Sequence, residues 1–350
     1  MAAQGKRSGN SIKAAVVGVG HLGRHHARIY AELPGVVLVA VADTNPKRAE
    51  GVAEQYHCEP LDDYRKLIGR VDVVSVAAPT EFHHEIAKAF LDAGVAVLVE
   101  KPITKTVEEG EELVRIARRK GVTLQVGHIE RFNPAVMAVQ RLIKPPKFIE
   151  SHRLSPYTFR SRDIGVVMDL MIHDIDIILH LAQSELVNVD ALGFGIISKT
   201  EDIANARLTF ASGCVANVTA SRVSNKSMRK IRLFSDDSYV SLDYGTREAF
   251  IYRPAAKILS GEFDVEEFLK SVDLTKVADL KDLVFKDLVH IEQVKMDEQE
   301  PLKAEIESFV NACRTGGEPV VTGEHGVRAM KAAMMITEKI RMHSWGPVKP

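Results

Sequence analysis

One otherwise apolar segment carries ionisable side chains at helical spacing. In Asp169-Leu170-Met171-Ile172-His173-Asp174-Ile175-Asp176, running on to His180, the residues Asp169, His173, Asp176 and His180 stand four, three and four apart, a single stripe on a helix. Leu, Met and Ile surround the stripe, so a solvated face is a poor account of it. An imidazole titrates near neutral pH and, oriented by a carboxylate, can take a proton from a hydroxyl. The same spacing also suits a metal ion, and a purely structural buried network is a third reading. A second candidate is Lys101 in Glu100-Lys101-Pro102, which closes an apolar run. A lysine there can hydrogen-bond a substrate hydroxyl, and desolvation lowers its pKa. On residue type alone it reads equally as a surface lysine.

The elements that must position these groups differ between the two halves. From Lys13 to Gly127 short apolar runs alternate with helical patterns, the mark of βαβ units around a parallel sheet. The expected strands are Ala14–Gly18, Val37–Asp43, Val71–Ala77, Ala96–Glu100 and Thr123–Gly127, and the expected helices include Glu81–Ala93 and Val107–Lys120. Gly18-Val19-Gly20-His21-Leu22-Gly23 fits GxGxxG directly after the first strand and opens a helix. In that context the first glycine permits the tight turn, the second lets backbone approach a pyrophosphate, and the third lets helix pack on strand. The anion would sit on the helix N-terminus. Asp43 ends the second strand twenty residues after Gly23, where a carboxylate accepts both adenosine ribose hydroxyls and repels a 2′-phosphate. NAD is therefore the expected cofactor, although Lys47 and Arg48 could tolerate a phosphate.

Past Gly127 the period changes. Asn133–Leu142 and Val166–Gln183 read as helices, and Asn205–Phe210, Val215–Arg222, Lys230–Phe234 and Tyr239–Tyr244 alternate apolar and polar residues with period two. Such strands build an open, largely antiparallel sheet with helices on one face and a second face that is solvated or paired with another subunit. Glu262–Met296 is charged and mostly helical, with room for a short strand near its end, while Leu302–Thr315 and Glu324–His343 are amphipathic helices. The expected organisation is a disordered tail at 1–11, an NAD-binding Rossmann domain at 12–127, and a substrate-binding and oligomerisation α+β domain at 128–350.

Composition narrows the class. Lys+Arg 46 against Asp+Glu 47 gives a net charge of −1, which offers no global basic field for nucleic acid or an anionic membrane. The three cysteines, Cys58, Cys214 and Cys313, have no CxxC or metal spacing, so reduced thiols and a cytoplasmic setting are expected. Neither a signal-peptide core nor a membrane-length apolar run is visible.

GxGxxG, then Glu-Lys-Pro after the fourth strand, then Asp-x-x-x-His in a following α/β domain, resembles the Gfo/Idh/MocA family of glucose–fructose oxidoreductase and inositol dehydrogenase relatives. The resemblance runs from Ile12 to about Met342 and includes Pro79-Thr80, His84, Glu300-Pro301-Leu302 and Val321-Thr322-Gly323-Glu324. It implies Lys101, Asp169 and His173 as the catalytic set, and Gly18, Gly20, His21, Leu22, Gly23, Asp43, Pro79, Thr80, Glu100 and Lys101 as cofactor contacts. It also implies a homodimer or homotetramer joined through the second domain's open sheet. Val126-Gly127-His128-Ile129-Glu130-Arg131-Phe132-Asn133-Pro134 is similar to members that oxidise UDP-N-acetylglucosamine or its uronic acid at the 3-hydroxyl. That similarity nominates Arg131 and Asn133, with Asp169 and His173, as substrate contacts, and Arg153, Arg160 and Arg162 as a diphosphate clamp. The expected activity is NAD-dependent oxidation of a ring hydroxyl on a sugar or nucleotide sugar, with no metal. An NAD-dependent glycosidase and a non-catalytic NAD-binding sensor are the alternatives.

Overall fold

The computed structural model describes residues 11–158, 164–271, 288–296 and 298–343. The tail expected to be disordered lies outside the described residues apart from Ser11. The chain divides into two compact units, one made of residues 1–132 and 299–332, the other of 133–298 and 333–350.

The first unit is built on a six-stranded parallel sheet. Its strands are β1 (Ile12–Val17), β2 (Val36–Ala42), β3 (Glu59–Leu61), β4 (Val73–Val76), β5 (Ala96–Glu100) and β6 (Leu124–Gly127), in the order β3-β2-β1-β4-β5-β6. Residues of β4, β5 and β6 are buried without exception, because helices cover both faces and leave no polar phase. The strand order reverses between β1 and β4, the position where doubly wound sheets open a crevice at their carboxyl edge. Four helices connect the strands: α1 (Gly23–Glu32), α2 (Pro46–Tyr56), α3 (His83–Asp92) and α4 (Val107–Lys120). Local signals fix α4 at both ends. Thr106 and Glu109 form a reciprocal capping box at its start, and Gly121 closes it in the left-handed region at φ 64°.

The division of the chain differs from the expected boundary at 127/128 and from a second domain running unbroken to 350. Helix Pro301–Thr315 belongs to the first unit, because Leu302, Ile306, Phe309 and Val310 enter one core with Ile29, Tyr30 and Leu33 of the α1 region. Fully burying side chains of this size contributes about 1.5–3 kcal/mol each, which outweighs chain continuity with the preceding strands. Helix Gly323–Met342 follows, its residues to Ala332 in the first unit and the rest in the second.

The second unit is built on an eight-stranded sheet. It contains β7 (Phe148–Leu154), β8 (Leu186–Phe194), β9 (Ile203–Phe210), β10 (Val215–Ser221), β11 (Met228–Phe234), β12 (Tyr239–Asp243), β13 (Glu248–Pro254) and β14 (Val289–Gln293), in the order β14-β13-β12-β11-β7-β10-β9-β8. Every pairing is antiparallel except β7 with β10. Helix α5 (Pro134–Gln140) lies against β12 and β13, and α6 (Ile172–Ala182) against β7 and β10. In β9 the alternation holds: Ala204, Ala206, Leu208 and Phe210 are buried, while Asn205 and Arg207 face solvent. On the open face Asn205 donates to Thr219 Oγ1 at 2.8 Å, and Arg207 donates to Asn217 Oδ1 at 3.1 Å.

Strands β3, β7, β8 and β13 were not among the expected strands, and β7 explains why. Its buried phase is Ile149, Ser151 and Arg153, so polar residues occupy the side that should read apolar. No described helix is long and apolar enough to cross a membrane.

Candidate active site

The glycines of the first loop divide by what surrounds them. Gly18 has φ of 84°, and a Cβ there would lie 2.6 Å from the Ala78 nitrogen. A Cβ on Gly23 would lie 1.8 Å from the Gly18 carbonyl oxygen, so only glycine lets α1 start this close to β1. Gly20 is different, with nothing within 4 Å of its Cβ position. The protein itself demands two of the glycines. The third keeps one side of the backbone open, as a pyrophosphate on a helix N-terminus requires. His21 and Leu22 are exposed beside it.

Asp43, just past β2, is buried and ties this loop to the sheet. Its Oδ2 accepts from the Val19 N–H at 3.0 Å and its Oδ1 from the Asn45 N–H at 2.8 Å. Two of about four acceptor positions on the carboxylate are thereby used, which leaves capacity for ribose hydroxyls. Lys47 and Arg48 are exposed. The residues present fit a dinucleotide.

At the carboxyl edge of β5 the Glu100 side chain turns inward. Its Oε1 pairs with His26 Nε2 at 3.0 Å, and its Oε2 accepts from the Lys101 backbone N–H at 3.3 Å. His26 Nδ1 lies 3.1 Å from Ser75 Oγ, which in turn lies 2.8 Å from the Tyr30 hydroxyl. Burial alone would push the Glu100 carboxyl up, but His26, aided by the charges of Lys101 and His83, holds it below the usual range. Gly127, paired with Glu100 across β5 and β6, makes room: a Cβ there would lie 2.9 Å from Glu100 Oε2. The inward carboxylate thus braces Lys101, which is partly buried, besides any part it has in holding cofactor.

Pro79 is exposed and Thr80 partly buried beyond β4. Of the adjacent histidines, His84 makes a surface pair with Glu112 at 2.9 Å. His83 is the buried one, its ring nitrogens 2.8 Å from the Ala78 carbonyl and 2.9 Å from that of Pro102. Burial lowers its basicity against the pull of both carbonyls and of Glu100. His83 therefore bridges the end of β4 to the residue after Lys101. Sequence reasoning missed both His26 and His83. The available signal was a histidine in an otherwise apolar phase of each helix.

In the second unit the expected helix Val166–Gln183 begins as a π-helical turn, Val167–Met171, and becomes α6 at Ile172. Asp169 lies on the π turn and His173 in the first turn of α6, both partly buried, and His173 Nδ1 is shielded from solvent. Asp176 is buried and His180 half-buried. Asp174, off the stripe, is paired with Arg153 through Nε–Oδ2 at 2.6 Å and Nη2–Oδ1 at 3.2 Å, both side chains buried. A diphosphate clamp using Arg153 is thereby corrected: its guanidinium fork is engaged by an internal carboxylate. Arg160 and Arg162 lie outside the described residues. Arg131 is buried on the turn after β6, and Asn133 is the N-cap of α5, its Oδ1 accepting from the Ala135 N–H at 3.1 Å.

The family model described as "Oxidoreductase family, NAD-binding Rossmann fold" matches residues 12–128, and that of the GFO/IDH/MocA C-terminal domain matches residues 144–240. UDP-N-acetylglucosamine 3-dehydrogenase of Acidithiobacillus ferrooxidans is 35% identical over 93% of this chain and 96% of its own. The chain belongs to the Gfo/Idh/MocA family. A solved structure of that dehydrogenase superposes with a TM-score of 0.81 at 33% identity, covering 94% of this chain and 97% of the other. Inositol 2-dehydrogenase of Rhizobium meliloti is 26% identical over 92% of this chain and 95% of its own. As a Gfo/Idh/MocA protein the chain is an NAD-binding oxidoreductase.

Proposed function

We propose that this Gfo/Idh/MocA protein is a cytoplasmic, homo-oligomeric dehydrogenase that oxidises a ring hydroxyl of a nucleotide sugar, and that UDP-N-acetylglucosamine, taken to its 3-keto form, is the substrate. The observation that carries this reading is the full-length likeness to a UDP-N-acetylglucosamine 3-dehydrogenase, together with a Lys101 braced at the carboxyl edge of β5. Free thiols on Cys58, Cys214 and Cys313 fit a reducing compartment.

Bound NAD supplies the hydride acceptor. The protein's own part is to loosen the hydroxyl proton as the C–H bond breaks. His173 and Lys101 are the acid–base groups for that proton. Asp169 orients His173 and favours its charged form, a role that needs only a fixed hydrogen bond. Arg131 is a substrate contact. Asn133 contributes by holding the start of α5, since its side-chain oxygen is engaged by that helix.

The test is a screen of UDP-sugars, free sugars and inositols with NAD, followed by NADH absorbance and mass spectrometry of the product. A 3-keto UDP-sugar formed with one NADH per turnover supports the reading. Cleavage of a glycosidic bond without net NADH would replace it with the glycosidase reading, and tight NAD binding with no turnover on any of these would replace it with a sensor.

A further inference from the structure

Helix Pro301–Thr315 brings a second carboxyl to the Glu100 cluster. Glu305 is 0% exposed, and neither of its carboxyl oxygens has a hydrogen-bond partner. One of those oxygens lies within 4.8 Å of a side-chain atom of His26 and of Glu100. Two carboxylates this close in the interior repel strongly, and one imidazole offsets at most one of them. Either a proton or a cation must make up the difference.

The hydrogen bonds say which carboxyl stays ionised. Glu100 already receives His26 and the Lys101 backbone N–H, and the charges of Lys101 and His83 favour its anion. Glu305 receives no such donor. Burial, and then the Glu100 anion, push its pKa well above the carboxylate range. Tyr30 also senses Glu305 and is held protonated, chiefly by burial, while its hydroxyl meets Ser75. A protonated Glu305 turned toward Glu100 would give that carboxylate a third donor, within its capacity of about four.

We propose that Glu305 is an uncharged carboxylic acid that caps Glu100, and that Glu305, Glu100 and His26 together position Lys101. In this unit Glu100 fixes the Lys101 backbone and is a buried anion that the Lys101 charge favours. His26 and Glu305 hold Glu100 in place from α1 and from helix Pro301–Thr315. The consequence for turnover rests on the reading of Lys101 given above, whereas the charge state of the cluster does not.

The test takes the full-length wild type with Glu305→Gln, Glu305→Ala and Glu100→Gln. Infrared difference spectra at neutral pH should contain the C=O stretch of a buried protonated carboxyl, sensitive to D2O and lost in Glu305→Gln. A spectrum without that band, or one that keeps it in Glu305→Gln, overturns the proposal. So does a stoichiometric divalent cation found by elemental analysis and lost in the same variant. In the pH profile of turnover, Glu305→Ala should lower the rate about tenfold through misplaced Lys101. Glu305→Gln, whose amide can donate to Glu100 as the acid does, should restore it. Glu100→Gln should weaken proton binding at Lys101 about tenfold, moving the limb of the profile that disappears in Lys101→Ala to lower pH by about one unit. A limb that stays in place in folded Glu100→Gln overturns the positioning role. Full turnover in Lys101→Ala would instead sink the catalytic reading of Lys101 while leaving the infrared result to stand or fall alone.

Discussion

His26 Nε2 lies 3.0 Å from Glu100 Oε1, and both side chains are buried in the first unit. The pair joins α1, the helix that opens at the glycine loop, to the strand end that carries Lys101. A change at His26 should therefore be felt in folding and at Lys101 together. His26→Ala removes the partner of a buried carboxylate, for which a loss of about 3–5 kcal/mol is expected. Denaturant unfolding checks this, and a loss under 1 kcal/mol would mean that water or another donor replaces the imidazole.

Asp43 holds the Val19 and Asn45 backbone, a local role beside the ribose contact expected of it. Asp43→Ala should weaken NAD binding and narrow the preference over NADP. Fluorescence titrations with both cofactors measure it. A wild type that prefers NADP, with Lys47 or Arg48 at its phosphate, would refute the assignment of Asp43.

Lys101→Ala and His173→Ala should each leave NAD affinity nearly intact and lower turnover by roughly a hundredfold or more, the usual scale of a lost general acid or base. Asp169→Asn should slow turnover without weakening NAD binding, since it upsets the orientation of His173 and leaves the ring in place. If Lys101 and His173 work as a unit, the double variant will be less impaired than the product of the single effects. Independent, multiplicative losses would separate their roles.

The second unit should lose stability in acid through Asp202. This buried carboxylate accepts the Ile196, Ile197 and Ser198 backbone N–H groups at 2.6–2.8 Å and pairs with Arg222 Nε at 2.8 Å. Burial would raise its pKa, but those donors win and hold it far below the usual range. A folded pKa below the unfolded value of about 3.9 means stability that is fully present above that pH and lost as pH falls from there through the folded pKa. Asp202→Asn should therefore cost several kcal/mol at neutral pH, and the gap to wild type should shrink below about pH 4. Glu305 has the opposite sign. With its folded pKa raised, wild type should lose stability relative to Glu305→Gln as pH climbs above about 4.3. Thermal melts from about pH 3 to about pH 8 follow both trends.

One face of β9 and β10 carries Asn205, Arg207, Asn217 and Thr219 as a polar ladder. A second copy of the chain on this face is the expected cover. Light scattering at micromolar concentration should report a dimer or tetramer, and a monomer would contradict it.

The sequence by itself determined the features that depend on local geometry. Nearly continuous apolar runs mark β1, β4, β5 and β6 as strands covered on both faces, and the period-two alternation of β9 marks a half-open sheet. The steric demands at Gly18 and Gly23 were legible too, because a tight strand-to-helix turn imposes them on neighbouring residues. Tertiary structure alone decided the partners of buried polar groups. His26 and Glu100 are 74 residues apart, and Glu305 reaches them from a helix that the chain order assigned to the other domain. Arg153 reads as a free cation until Asp174 is folded against it, and that same arginine hides β7 from a hydrophobic-period reading. Periodicity records how often a side chain returns to one face. Which charge waits on that face is set by long-range packing, and no local pattern carries it.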